Sequence, residues 1–316
     1  MSILVTGAAG FIGSNLTEGL IKENRSVVAL DIIDDYYDPA IKEHNIAFIK
    51  DTVPFYKVDI NDTEKLFKII QNEKIDKIVH FAARPGVRPS LTNPELYNKM
   101  NTLGTINLLK LSVEFDIKQF VFSSTSSIYG GNEKTPFSES DHVDNQISPY
   151  AVSKRAAELY CNNYAKLYGL PVTCLRLFTV YGPRQRPEMA IHKFTREIFN
   201  GEELPMFGDG SSSRDYTYVD DIVDGFVAAL DNPFAFEIIN LGDASPVKLS
   251  KLISLVEKAT GKKANIKQMS EQLGDMKITF ADISKAKKML GYSPKIPLEE
   301  GVVRFVEWYK ETFEVS

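Results

Sequence analysis

Apolar and polar residues along this chain follow two alternating rhythms. Short, nearly unbroken apolar runs at 2–6 (SILVT), 27–31 (VVALD), 55–59, 78–83 (IVHFAA), 119–123 and 171–178 (PVTCLRLF) predict buried strands. Between them, apolar residues recur with the helical period. They do so from the glycine turn after Thr6 to about Glu23, through 101–115 (NTLGTINLLKLSVEF), and over the stretch carrying Tyr150 and Lys154 to about Tyr168. Strand and helix alternating in this way predict an α/β, doubly wound parallel sheet. After Val180 the texture changes. Turn-rich runs (YGPRQRP, FGDGSSSRD, LGYSPKIP) separate helical stretches at 191–200, 219–230, 248–260 and 298–312 and a short strand at 237–240. The expected division is a sheet domain over 1–180 and a smaller mixed α/β region over 181–316, with some chain crossing back. No linker, low-complexity tract or repeat separates the two, so they should pack as one body.

Composition narrows the class. With 316 residues, 43% hydrophobic and 25% charged, the chain reads as a globular protein able to bury a large core. The formal net charge is −5 and no basic stripe or tail occurs, which argues against nucleic acid and anionic membrane as partners. No apolar run approaches the ~20 residues of a membrane span. ILVTG follows almost directly on Met1, without the basic and apolar regions of a secretory signal. Cys161 and Cys174 lie on a predicted helix and a predicted strand, with no metal-ligand spacing. They fit core filling in a reduced, cytoplasmic protein, and no metal site is expected.

The chemistry-bearing residues gather in three places. Gly7, Gly10 and Gly13 stand between the first strand and the first helix (TGAAGFIGS). There, glycine lets backbone approach a pyrophosphate, and the helix N-terminus supplies N–H donors. Asp31 ends the second strand, where a carboxylate accepts from both hydroxyls of an adenosine ribose. Ile32 follows it rather than an Arg, so NAD is expected and not NADP. Asp59 falls where it meets an adenine amino group. DDYYDP (34–39) is a polar loop, and His80, inside a strand, reads as structural. The third place is a hydroxyl cluster, SSTSSIYG from Ser123, followed downstream by SPYAVSK. Tyr150 and Lys154 are four apart, so they share a helix face. That spacing alone fits any amphipathic helix. Beside a hydroxyl cluster and a nucleotide fingerprint, it describes a base: a phenol of pKa ~10 with a cation close by to favour the phenolate.

TGAAGFIG, Asp31, HFAA, Asn101 in NTLGT, SSTSSIYG, YAVSK, RDYTYVDD and the late GDM occur in this order. Together they resemble the extended short-chain dehydrogenase/reductase family of NAD-dependent nucleotide-sugar epimerases and dehydratases, over essentially the whole chain. The resemblance implies a Rossmann-type domain that holds NAD, a C-terminal region that binds a UDP-sugar, and a homodimer through paired long helices. It implies cofactor contacts from Gly7, Gly10, Phe11, Ile12, Gly13, Asp31, Asp59 and Ile60. Further contacts are implied from Ala82, Ala83, Asn101, Ser123, Tyr150 and Lys154. Dehydratases of the family carry an acidic pair before the position of Tyr129, and UDP-glucuronate decarboxylases carry a Glu there. This chain has Thr125, Ser126, Ser127 and Ile128, with no acid.

PGVR (85–88), STSS, Thr179 and GPRQRPEMA (182–190) look like the UDP-glucuronate 4-epimerases. Departures from that pattern are Glu188 and the absence of Pro before Gly274. On this reading Tyr150, Lys154 and Thr125 are catalytic. Ser126, Ser127, Thr179 and Arg184 hold a uronate carboxylate, and Arg214 takes the UDP phosphates. By resemblance alone, Phe207 packs on uracil, Asp275 takes its ribose hydroxyls, and Pro85 and Arg88 border the sugar. The alternatives are a UDP-glucose or UDP-N-acetylglucosamine 4-epimerase, a UDP-glucuronate decarboxylase, and a non-catalytic NAD-binding protein.

Overall fold

The computed structural model describes residues 2–270 and 277–315. Its centre is a seven-stranded, all-parallel sheet. The strands are β1 (Ser2–Thr6), β2 (Ser26–Asp31), β3 (Phe55–Lys57), β4 (Ile75–His80), β5 (Gln119–Thr125), β6 (Val172–Leu177) and a late strand, Phe236–Leu241. The spatial order is Phe236–Leu241, β6, β5, β4, β1, β2, β3. The strand read at 237–240 as part of the C-terminal region therefore completes the main sheet, paired with β6. Its residues Ile239 and Leu241 are fully buried, so the sheet edge gains cover that β6 would otherwise lack.

Alternation along each strand builds two cores. Ile3, Val5, Val27, Ala29 and Val121 face one side, where helix α1 (Phe11–Lys22) packs with Leu16 and Leu20. Leu4, Val28, Ile78, Phe120 and Phe122 face the other. There they meet Leu108 and Leu109 of helix α2 (Gly104–Glu114) and Ala157 and Cys161 of helix α3 (Pro149–Tyr168). The period of two fits a strand buried on both faces, each buried Leu, Ile or Phe contributing about 1.5–3 kcal/mol. Helix α4 (Val219–Asp231) also returns to this unit and packs beside α1, with Val223 close against Gly19. The two parts of the chain thus interlock across the expected boundary at 180/181.

The remainder forms the smaller region. Strand Ser213–Tyr218 pairs with Thr179–Tyr181, Pro246–Lys248 and Ile278–Thr279, while Glu203–Phe207 pairs with Asn265–Met269. Helices Ala190–Asn200, Leu249–Thr260 and Leu298–Phe313 cover them. The helix read over 101–115 is broken: a π-helical turn, Asn98–Leu103, precedes α2. The extra residue in that turn directs Asn101 inward.

Candidate active site

The strand order reverses between β1 and β4, the place where open α/β sheets leave a crevice beyond their carboxyl ends. A cavity of about 450 Å³ opens there. Gly7, Gly10, Phe11, Ile12 and Gly13 line one end. Gly7 has φ +73°, and a Cβ on it would come 2.7 Å from the Ala82 nitrogen; one on Gly13 would come 2.1 Å from the Gly7 carbonyl. The glycines therefore let α1 begin directly against the loop, with its first unbonded N–H groups at the cavity. Asp31 closes this end: its carboxylate accepts from the Ala9 N–H at 3.0 Å and the Ile33 N–H at 2.7 Å. Burial pushes its pKa up, against those two bonds and the charge of Lys42. Asp59 and Ile60, in the turn after β3, and Ala82 and Ala83, after β4, line the same end. β3 stops at Lys57 and β4 at His80, short of the expected ends, so these residues sit in turns free to meet a ligand. A glycine cradle, a helix N-terminus and a buried acceptor fit a dinucleotide.

At the other end, β5 delivers Ser123 and Thr125, and a 3₁₀ turn delivers Ser126 and Ser127. Thr125 Oγ1 lies 3.2 Å from Ser127 Oγ and accepts from the Ser127 N–H at 3.1 Å. Helix α3, capped by Ser148 and opened by Pro149, presents Tyr150 and Lys154 from its first turns. Thr125 lies near enough to Tyr150 to favour the ionised phenol. The Tyr97 ring meets Tyr150 edge-on at 6.2 Å, and its hydroxyl donates to the Pro85 carbonyl at 2.6 Å. Lys154 Nζ lies over the Phe122 ring at 4.2 Å. Lys154 is expected to depress the tyrosine, but burial holds Tyr150 above its ordinary pKa, opposed by Thr125 and the charge of Arg186. Burial also lowers Lys154 to about 8. Both shifts favour the neutral forms, as desolvation requires.

Thr179 and Pro85 line the cavity. Arg184 does not. Gly182 and Arg184 have φ of +140° and +70°, and this turn sends the Arg184 side chain to Glu18 on α1. Arg186, two residues on, lines the cavity instead, with Nε 3.2 Å from Glu188 Oε1. Asn101 is buried off the cavity. Its side-chain oxygen accepts from the Arg84 N–H at 2.6 Å, while its amide donates to the Arg84 carbonyl and Ser153 Oγ, both at 3.0 Å. Arg88 stacks over Phe207 at 5.8 Å, so two residues assigned to the substrate do meet, away from the cavity wall. Arg214 donates to its neighbour Ser213's carbonyl at 2.9 Å and also lies off the cavity. Asp275 lies outside the described residues. Among residues sequence reasoning passed over, Tyr36, Lys42 and Arg84 line the cavity; the signal for the first two was the polar run 34–39 and its flank, and for Arg84 the turn RPGVRPS after β4. His80 bonds Thr6 Oγ1 at 2.8 Å and Thr105 Oγ1 at 3.0 Å, a buried strand-to-helix tie.

The model of the NAD dependent epimerase/dehydratase family matches residues 3–242. The chain is 44% identical over 315 residues to the UDP-glucuronate 4-epimerase of Thermodesulfobacterium geofontis, covering 99% of this chain and 97% of that one. The crystal structure of UDP-glucuronic acid 4-epimerase from Bacillus cereus, in complex with UDP-glucuronic acid and NAD, superposes with a TM-score of 0.93 at 38% identity, covering 99% and 100%. The UDP-glucose 4-epimerase of Thermotoga maritima, solved with UDP-glucose, gives 0.91 at 34%, again covering 99% and 100%. Match and geometry agree on one assignment: this chain belongs to the NAD dependent epimerase/dehydratase family.

Proposed function

We propose that this protein interconverts UDP-glucuronate and UDP-galacturonate by inverting C4 of the sugar. The observation that carries the reading is the sugar end of the cavity. Thr125, Ser126, Ser127 and Thr179 supply hydroxyls, Arg186 supplies a cation, and the run 123–128 holds no carboxylate. An anionic sugar suits that wall, and an acid for dehydration is missing from it. When bound, NAD supplies a reversible hydride acceptor at C4 and, in its cationic ring, positive charge beside the phenol.

The chain's residues supply the proton chemistry and the positioning. Tyr150 Oη takes the C4 hydroxyl proton as the C4 hydrogen leaves as hydride, and returns the proton when the hydride comes back on the opposite face. Thr125, which lines the cavity beside Tyr150, reaches the same C4 oxygen. Lys154, on the same helix face, stabilises the phenolate once formed. The 4-keto sugar must turn over within the cavity between the two transfers. In that state the C6 carboxylate is part of a β-keto acid, and CO2 is lost if the breaking bond aligns with the carbonyl π system. Ser126, Ser127, Thr179 and Arg186 hold the carboxylate charged, bonded and out of alignment.

The reading extends to assembly. Val152, Leu159 and Tyr160 are exposed on α3, and Leu103 is exposed on the π-helical turn packed against it. That apolar face suits a homodimer through paired helices. Free, buried Cys161 and Cys174 suit a cytoplasmic setting, and among the described residues no helix is long and apolar enough to cross a membrane.

The test is incubation with UDP-glucuronate and, separately, UDP-glucose, with NMR identification of products. UDP-galacturonate from the first alone supports the proposal. UDP-galactose from the second alone replaces it with the neutral-sugar reading that the Thermotoga maritima likeness favours. Tyr150→Phe should abolish turnover in either case.

A further inference from the structure

Tyr36 belongs to the loop that follows Asp31, yet its side chain lies at the sugar end of the cavity. Its ring is approached by two guanidiniums: Arg84 at 4.8 Å from the centroid and Arg186 at 5.9 Å. Its hydroxyl points at Gly86, where an added Cβ would come within 2.5 Å, and Gly86 has φ +101°. The PGVR loop thus approaches the phenol at a position only glycine tolerates. Arg84 is committed elsewhere: it pairs with Asp34, and Asn101 clamps its backbone. Asp34 is in turn held by Lys42. Tyr36 therefore rests on a fixed wall on its Arg84 side, and Arg186 rests on Tyr36.

We propose that Tyr36 is a positioning residue for Arg186, using its π face to hold the guanidinium against the cavity. This rests on the reading of Arg186 as the carboxylate partner. Arg186 has long-stem freedom and, among the described residues, pairs with one acidic side chain, Glu188. Without the ring, it can turn toward Glu188 and leave the sugar's carboxylate to the hydroxyls alone. The ring is the working part, because a cation is drawn to the face of an aromatic whether or not a hydroxyl is attached. Tyr36 so joins the ribose end of the cavity to the sugar end: the loop that begins at Asp31 carries the residue that sets carboxylate recognition.

The experiment compares wild type, Tyr36→Phe, Tyr36→Leu, Arg186→Ala and the double variant Tyr36→Leu/Arg186→Ala. It measures kcat, KM, and the fraction of UDP-pentose among products from UDP-glucuronate, with thermal melts as a check. Tyr36→Phe should stay within about threefold of wild type, and Tyr36→Leu should raise KM about tenfold and release pentose. The double variant should be no worse than Arg186→Ala, since the two act through one group. Multiplying effects in the double variant would overturn the proposal. So would a wild-type Tyr36→Leu, or a Tyr36→Phe as impaired as the leucine variant. If Tyr36→Leu melts out, Tyr36→Phe and its double with Arg186→Ala still decide between ring and hydroxyl. A wild type inactive on UDP-glucuronate would instead sink the substrate reading.

Discussion

Arg186→Ala removes from the cavity wall a cation close enough to Tyr150 to lower its pKa. Losing one partner of a desolvated, charge-assisted pair costs about 2–5 kcal/mol. Arg186 is 22% exposed and shares its charge with Glu188, so the lower half of that range applies. About 2–3 kcal/mol corresponds to a loss of roughly 30–150-fold in kcat/KM for UDP-glucuronate. Arg184→Ala is the matched control in the same turn. It removes an ion pair with Glu18 in which both side chains are about one-fifth exposed, worth at most ~1 kcal/mol of stability. Its kcat/KM should stay within about threefold. The assay is initial rate on UDP-glucuronate for both variants, with NMR counting of UDP-pentose. Arg186→Ala should also release pentose, because a 4-keto uronate held by hydroxyls alone reaches the aligned rotamer more often. Equal losses from the two variants, or a greater loss from Arg184→Ala, would mean that Arg186 is not the carboxylate's partner.

Three further outcomes can be checked. His192 is packed among Phe305, Trp308, Tyr309 and Phe313, and burial lowers its pKa from 6.5 to about 4. The unfolded chain therefore binds the proton first, so stability is complete above pH 6.5 and falls by about 3 kcal/mol as pH drops toward 4; urea melts should show this, and His192→Leu should flatten it. Tyr181 Oη is buried with no hydrogen-bond partner among the described residues, so Tyr181→Phe should leave the melting temperature unchanged or raise it by the equivalent of up to ~1 kcal/mol. Gly13→Ala would put a Cβ 2.1 Å from the Gly7 carbonyl, so the purified protein should retain far less NAD, measured by absorbance after denaturation.

The sheet was legible because its central strands β1, β2, β5 and β6 are buried on both faces and so read as nearly unbroken apolar runs. The glycine turn was legible because Gly7 and Gly13 admit no Cβ, which leaves the sequence no freedom there. Strand Phe236–Leu241 was found in sequence, but its partner was not: pairing with β6 is a contact across some sixty residues that no local pattern encodes. Arg184 and Arg186 show the same limit more sharply. They lie in one motif with the same chemistry, and only the left-handed backbone at Arg184 and the anchoring of Gln185 between them decide which enters the cavity. Gln185 donates to the Val180 carbonyl at 3.1 Å and accepts from the His192 N–H at 3.2 Å. Tyr36 was read as part of a polar loop because its partners, Arg84 and Arg186, are distant in sequence.

The hydroxyl run rests on a buried charge. Glu158 lies one turn beyond Lys154 on α3, and both its oxygens are engaged by Arg176 of β6, at 2.9 and 2.8 Å. Ser124, between Ser123 and Thr125, donates to the same carboxylate at 2.7 Å, and Arg155 adds a bond at 3.1 Å. Glu158, Arg176 and Ser124 are all buried. An ion pair so placed adds little stability over apolar residues of equal volume, so stability is a poor account of it. Direction is a better one. Apolar contacts between β5 and α3 would tolerate a small slide, whereas four bonds converging on one carboxylate, three of them from β5 and β6, would not. The distance from Thr125 on β5 to Tyr150 on α3 spans that same interface, and proton transfer at C4 depends on it. The core beneath the site thus gives up some apolar packing to fix the strand and the helix in the register that the chemistry needs.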